Sequence, residues 1–265
     1  MSVIALVGVG KMGEAILAGL LKTSSANEVI VTARRAERAA ELATTYGVEV
    51  VTNDAAFARA DLVFVLVKPH DVVQMLNDFG SNLKPGAVVV SLAAGLRIER
   101  LESALPAGTS VIRVMPNTPS LVGKGMSIVS AGTSAKPEDL ERVKLALESV
   151  GKVIVVPENL QDSMTAISGS GPAYFFYFVE AMVAAGIELG VEEAVAKELT
   201  LQTILGAAEL LIATGTDPAE LRANVTSKGG VTAAAIQVFD DAELKVIVKK
   251  ALAAATARSI DMANS

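Results

Sequence analysis

The chain has 265 residues, a formal net charge of −6, no cysteine and a single histidine, His70. An acidic balance without a basic stripe excludes a nucleic-acid binder, and the lack of thiols excludes disulfides and thiolate metal sites. One imidazole also excludes a histidine-rich metal centre and proton transfer by a histidine pair.

Hydrophobic residues make up 51% of the chain and aromatics only 4%, so the core is built mainly from Ala, Val, Leu and Ile. The most apolar stretch, Ala173–Ile187, is interrupted by Glu180 and falls short of the ~20 residues of a membrane span. No membrane partner is expected. The first apolar run, Val3–Val7, has no basic residue before it, and Lys11 and Glu14 follow at once. It reads as a strand and not a signal peptide, and a cytoplasmic protein is expected.

Gly8-Val9-Gly10-Lys11-Met12-Gly13 follows that strand and leads into a helix predicted over Met12–Lys22. In this setting Gly8 permits the tight turn and Gly10 lets a pyrophosphate approach the backbone. Gly13 lets the helix lie close on the strand. The helix start offers free N–H groups and the positive end of its dipole to phosphates. The plain alternative is a glycine turn without a ligand. Context favours a nicotinamide dinucleotide site, and hence an oxidoreductase.

The second strand, Glu28–Thr32, ends in Ala33-Arg34-Arg35. An NAD-selective site normally carries a carboxylate there for the ribose 2′-OH. Two guanidiniums in its place suit a 2′-phosphate, so NADPH is expected, with NADH possible but weaker. The alternative is that Arg34 and Arg35 merely begin the solvated helix predicted over Arg35–Tyr46.

Further strands are predicted at Val48–Val51, Leu62–Val67, Ala87–Leu92, Ser110–Met115 and Lys152–Val156, with a helix at Pro137–Val150. The runs alternate with amphipathic helices, which gives a doubly wound, mostly parallel α/β sheet. Ligands of such sheets bind beyond the carboxyl ends of the strands. The loops there are Val67-Lys68-Pro69-His70, Ala93-Ala94-Gly95 and Pro116-Asn117-Thr118-Pro119, rich in small residues and prolines that could wall a flat ring. His70 follows a proline that points the chain outward, and no acid partner is evident nearby. Lys68 could serve as a general acid or as a surface lysine.

After Pro157 the strand signals stop. Helices are predicted at Leu160–Ile167, Ala173–Leu189, Glu192–Thr214, Pro218–Val225, Thr232–Phe239 and Glu243–Asn264. The expected domains are therefore 1–157 and an all-α part, 158–265. Its helices are apolar nearly all round, as in Leu205–Ile212, and must be covered, so an oligomer interface is expected. Two Ser/Gly clusters, Ser168–Tyr174 and Asn224–Thr232, feed helix starts. Each is either an anion site of backbone N–H groups, best suited to a substrate carboxylate, or ordinary N-capping.

Together these motifs resemble the pyrroline-5-carboxylate reductase family over essentially the whole chain. The resemblance rests on the glycine turn, Val67-Lys68-Pro69, Arg113-Val-Met-Pro116-Asn117-Thr118-Pro119, Ser168–Tyr174 and, most specifically, Thr226-Ser227-x-Gly229-Gly230-x-Thr232. It implies a Rossmann-like domain, a helical dimerisation domain, and a homodimer that assembles further. The implied activity is NADPH-dependent reduction of 1-pyrroline-5-carboxylate to L-proline.

By resemblance, Ser227 and the N–H groups of Gly229 and Gly230 hold the substrate carboxylate, with Asn224 beside them. Thr232, the catalytic residue, hydrogen-bonds the imine nitrogen. Gly8 to Gly13, Arg34, Arg35, Asn53, Val67, Lys68, Pro69, Ala93, Ala94, Gly95 and Asn117 serve the cofactor; no metal is implied. His70 and Lys228 depart from the family pattern and receive no role. A different imine or β-hydroxyacid reductase, or a silent nucleotide-binding scaffold, fits the last loop less well.

Overall fold

The computed structural model describes residues 2–23 and 28–263. Contacts divide it into two compact units: residues up to Ser170 together with those from Ala255 on, and Gly171–Ala254.

The first unit opens with β1 Val3–Val7, α1 Lys11–Thr23, β2 Glu28–Thr32, α2 Ala36–Tyr46, β3 Glu49–Val50 and α3 Asn53–Arg59. It continues through β4 Leu62–Val65, α4 Pro69–Phe79, β5 Val88–Ser91, α5 Ile98–Glu102 and β6 Ser110–Met115. Then come β7 Gly125–Ala131, α6 Pro137–Glu148, β8 Gly151–Val155, α7 Gln161–Met164 and a π-helical turn at Thr165–Gly169. The strands form one eight-stranded sheet in the order β3-β2-β1-β4-β5-β6-β7-β8. All its pairings are parallel except β6 with β7.

Alternate residues along each strand feed opposite faces of the sheet, as the pleat requires. Leu6, Phe64, Val90 and Ile112 pack with Ile16, Leu17 and Leu20 of α1 and with Val143 and Leu147 of α6. Val7, Val63, Val65 and Val89 pack with Phe57 of α3, Val72 and Leu76 of α4 and Leu101 of α5. Both faces are covered, which explains strands without polar alternation. The strand order reverses between the parallel neighbours β1 and β4, so their carboxyl ends form the crevice where such folds take ligands.

β7 was not expected from the sequence. Residues 116–124 hold only a short 3₁₀ turn, Thr118–Val122, before it. That is too little chain for a crossover of about a dozen residues, so the strand returns antiparallel to β6.

The second unit contains α8 Gly171–Glu188, α9 Glu193–Thr214, α10 Pro218–Asn224, α11 Val231–Asp241 and the first part of α12 Leu244–Ala263. Its helix starts follow the sequence signals. The Glu192 carboxylate accepts from the Ala194 and Val195 N–H groups, and Asp217 accepts from Ala219 ahead of α10. Phe178 and Phe239 pack tilted with ring centroids 6.3 Å apart. Yet few of its residues are buried, and Phe175, Phe176, Tyr177, Leu205 and Ile212 are all exposed. Among the described residues no single helix is long and apolar enough to cross a membrane.

The secondary structure changes type after Pro157, but the compact units divide at Ser170. Residues 158–170 are helical in type and still belong to the sheet. Gln161 donates to the Ile128 carbonyl at 3.3 Å and to Ser130 at 3.0 Å, and Glu158 pairs with Arg113 at 2.8 Å.

Candidate active site

The glycine turn joins β1 to α1, and its three glycines meet three different demands. Gly8 has φ +82°, and a Cβ there would lie 2.4 Å from Val67 Cγ1. A Cβ on Gly13 would lie 2.8 Å from Leu66 Cδ1, so this glycine lets α1 approach the chain after β4. A Cβ on Gly10 would meet no protein atom within 4 Å. The chain's own packing gives no reason for a glycine at position 10; close approach of a ligand does.

Thr32, at the end of β2, fixes the turn. Its hydroxyl accepts from Gly8 N–H at 3.2 Å and its carbonyl from Val9 N–H at 3.4 Å. The first backbone bond of α1 runs from Glu14 N–H to the Gly10 carbonyl at 2.9 Å. The N–H groups of Lys11, Met12 and Gly13 are left as free donors at the positive end of the helix. Val9 is buried and Met12 packs on the core, so both can offer a ligand only their backbone.

Beyond β2, Arg34 and Arg35 are exposed, and among the described residues neither makes an ion pair or a side-chain hydrogen bond. One helical turn later Arg38 is fully engaged. It pairs with Glu14 of α1 and, at 2.9 Å, with Glu41, while the Tyr46 hydroxyl donates to Glu14 at 2.8 Å. Arg38 first, then Tyr46, hold the Glu14 carboxyl below the usual carboxylate range. A lowered carboxylate stabilises the fold above its unfolded value and loses that contribution as pH falls through the folded value. Glu14→Gln therefore lowers Tm at neutral pH, and the deficit shrinks by about pH 3, which thermal melts at both values check.

Asn53 is the first residue of α3, capped by Thr52, whose hydroxyl accepts from Ala55 N–H at 3.3 Å. Val51 N–H donates to the Val31 carbonyl at 2.9 Å, which brings the chain before Asn53 alongside β2. Asn53 and the arginines thus share the carboxyl edge of β2 and β3.

At the other end of the crevice, Val67 lies against Gly8, and Lys68 is the exposed N-cap of α4 with Pro69 at its first position. His70 is exposed, and its Nε2 lies 3.6 Å from Asp71 Oδ1. The missing acid partner of the sequence reading is its immediate neighbour, on the solvent side. Ala93 is buried, its N–H donating to Ser91 Oγ at 3.4 Å, and Gly95 turns the chain with φ +75°.

Asn117 is already occupied by the protein. Its Oδ1 accepts from Met126 N–H at 2.8 Å and its Nδ2 donates to the Ser168 carbonyl at 3.1 Å. It ties the loop after β6 to β7 and to the π-helical turn.

The Ser227–Gly230 loop lies in the second unit, between α10 and α11. Asn224 ends α10, and Gly229 has φ +70°. The Gly230 N–H, expected to hold a carboxylate, instead donates to the Ser227 carbonyl at 3.0 Å. Gly230 is needed sterically, since a Cβ would lie 2.5 Å from Ser227 Oγ. The first bond of α11 runs from Ala234 N–H to the Gly230 carbonyl at 3.2 Å. Val231, Thr232 and Ala233 therefore keep free N–H groups, next to that of Gly229. The hydroxyls of Ser227 and Thr232 have no partner among the described residues, and Thr232 is exposed. The result is a group of free donors at the start of an eleven-residue helix, an arrangement suited to an anion.

Sequence reasoning did not single out Thr32, the Glu14–Arg38–Tyr46 clamp or the Glu158–Arg113 pair. Only Thr32 carried a readable signal, a hydroxyl residue closing the second strand.

The sequence profile for pyrroline-5-carboxylate reductase dimerisation matches residues 158–262. That for NADP oxidoreductase, coenzyme F420-dependent, matches residues 3–95. The chain is 42% identical over 267 residues to the pyrroline-5-carboxylate reductase of Corynebacterium melassecola, covering 99% of each. It is 38% identical to that of Synechocystis, covering 97% of each. The solved pyrroline-5-carboxylate reductase of Coxiella burnetii superposes with a TM-score of 0.95 at 33% identity, over 100% of this chain and 99% of that one. The Plasmodium falciparum enzyme, solved with NADP bound, gives 0.87 at 27% identity, over 99% and 98%. The helical part is a dimerisation domain, which implies a homodimer and accounts for the uncovered apolar helices. The matched dimerisation profile and the full-length similarity agree, and the chain belongs to the pyrroline-5-carboxylate reductase family.

Proposed function

We propose that the chain reduces 1-pyrroline-5-carboxylate to proline with NADPH in preference to NADH, and that Thr232 is its catalytic residue. The observation that carries the cofactor reading is the Arg34–Arg35 couple at the end of β2, unpaired among the described residues, where the sequence has no carboxylate. The Plasmodium falciparum relative with NADP bound supports it. The residues present fit the cofactor: free N–H groups at α1 for the pyrophosphate, open space over Gly10, and two guanidiniums for a 2′-phosphate. When bound, NADPH supplies the hydride that adds to the imine carbon.

The protein's own task is orientation. The N–H groups of Gly229, Val231 and Thr232, with the Ser227 hydroxyl, hold the substrate carboxylate. The imine takes its proton from water before hydride transfer, and Thr232 Oγ accepts from the ring N–H, which keeps that proton as the carbon–nitrogen double bond becomes single. No nucleophile is required. The homodimer assembles further into a ring of dimers, and light scattering should give a mass above that of two chains.

Replacing Arg34 and Arg35 together with Ala raises KM for NADPH by about 10- to 100-fold, the loss of one charge-assisted contact at about 1.5–3 kcal/mol. KM for NADH stays near the parent value. Steady-state rates with pyrroline-5-carboxylate and each cofactor decide; an unchanged KM for NADPH removes the reading.

A further inference from the structure

The loop after β5 is clamped by carboxylates on two sides. Glu158 Oε1 accepts from Ile98 N–H and from Arg113, each at 2.8 Å. Asp162, 5% exposed, accepts the Ser259 hydroxyl on Oδ1 at 2.7 Å, and its Oδ2 lies 3.7 Å from Arg97. Ser259 sits in the last turns of α12, residues that belong to the first unit. Beside it the Met262 backbone lies against Gly95, where a Cβ would stand 3.4 Å from the Met262 carbonyl oxygen. Ala93, Ala94 and Gly95 have almost no side chains of their own with which to hold their position. The end of α12, arriving from the far end of the chain, supplies that restraint.

We propose that the last turns of α12 brace the Ala93–Gly95 wall against the nicotinamide ring, with Ser259 and Asp162 as positioning residues. This rests on the reading of Ala93–Gly95 as part of the nicotinamide site. Hydride transfer needs the ring held within about 0.5 Å of its productive position, and a glycine-alanine loop without a brace drifts further than that.

The test compares NADPH with 2′-phospho-ADP-ribose, which shares everything but the nicotinamide, by calorimetric titration of the full-length dimer. Ser259→Ala raises the Kd for NADPH about 3- to 10-fold, the effect of one lost hydrogen bond, and leaves that of the fragment unchanged. Ser259→Thr keeps the donor and retains the parent values. Equal weakening of both ligands, or of neither, overturns the brace. Ala94→Val, a change in the wall itself, separates the two ways of failing. If Ala94→Val discriminates between the ligands and Ser259→Ala does not, the wall stands without the brace. If neither discriminates, the wall assignment falls and the brace with it.

Discussion

Thr232→Ala lowers kcat/KM for pyrroline-5-carboxylate by about 10- to 100-fold and changes NADPH affinity by less than about twofold. A hydrogen bond to a charged group contributes about 1.5–3 kcal/mol, and each 1.36 kcal/mol is a factor of ten in rate. Thr232 is the second residue of α11, exposed, and its hydroxyl has no partner among the described residues. Removing it costs the fold little, so the loss appears in kinetics and not in Tm. Thr232→Ser keeps the hydroxyl and recovers most of the rate. The measurement is steady-state kinetics beside a direct NADPH titration, and an unaltered kcat/KM refutes the role.

The second large effect is on assembly. Replacing Phe176 and Tyr177 with Glu abolishes the dimer and, with it, the order of the helical domain. In the single chain these side chains are 66% and 73% exposed. Four aromatics in a row, Phe175, Phe176, Tyr177 and Phe178, occupy the whole circumference of α8, so the helix has no face suited to water at that level. Burying each such side chain contributes about 1.5–3 kcal/mol, and a two-fold interface counts each residue twice. The sum, roughly 6–12 kcal/mol, matches the entire stability of a typical domain. Light scattering should show single chains, and far-UV circular dichroism a loss of helix. A double variant that remains a helical dimer at micromolar concentration would show that this face is not the interface.

Some of the site was legible because its cause is local. The three glycines could be assigned their tasks from spacing, and the structure separates them by what a Cβ would meet: Val67 at Gly8, Leu66 at Gly13 and nothing at Gly10. Pro69, Pro137 and Pro218 mark helix starts because a missing N–H costs nothing there, and all three sit in the first turn. β7 escaped because its sequence, Gly-Met-Ser-Ile-Val-Ser-Ala, is weakly apolar and no helix precedes it. Its pairing with β6 comes from chain geometry, not from propensity.

Other assignments needed knowledge of which hydrogen bonds compete. Gly230 carries the expected motif, yet its N–H closes the turn onto Ser227, and the N–H groups left free are those of Gly229 and the start of α11. Asn117 stands where a cofactor contact was expected, and its amide is held by the Met126 N–H and the Ser168 carbonyl. The composition break at Pro157 is real, but Glu158, accepting from Arg113 of β6, and Gln161, donating to β7, keep the next turns with the sheet.

By itself the sequence determined the doubly wound half, the phosphate turn after β1, the lack of a carboxylate after β2 and the uncovered apolar helices. Each of these follows from contiguous residues and their periodicity. Only the tertiary structure decided that, among the described residues, Arg34 and Arg35 are free while Arg38 is tied to Glu14, and that the last turns of α12 return to Gly95 and Asp162. The reason is physical. A charged or polar group is available to a ligand only if nothing nearer has claimed it, and its competitors lie tens of residues away along the chain.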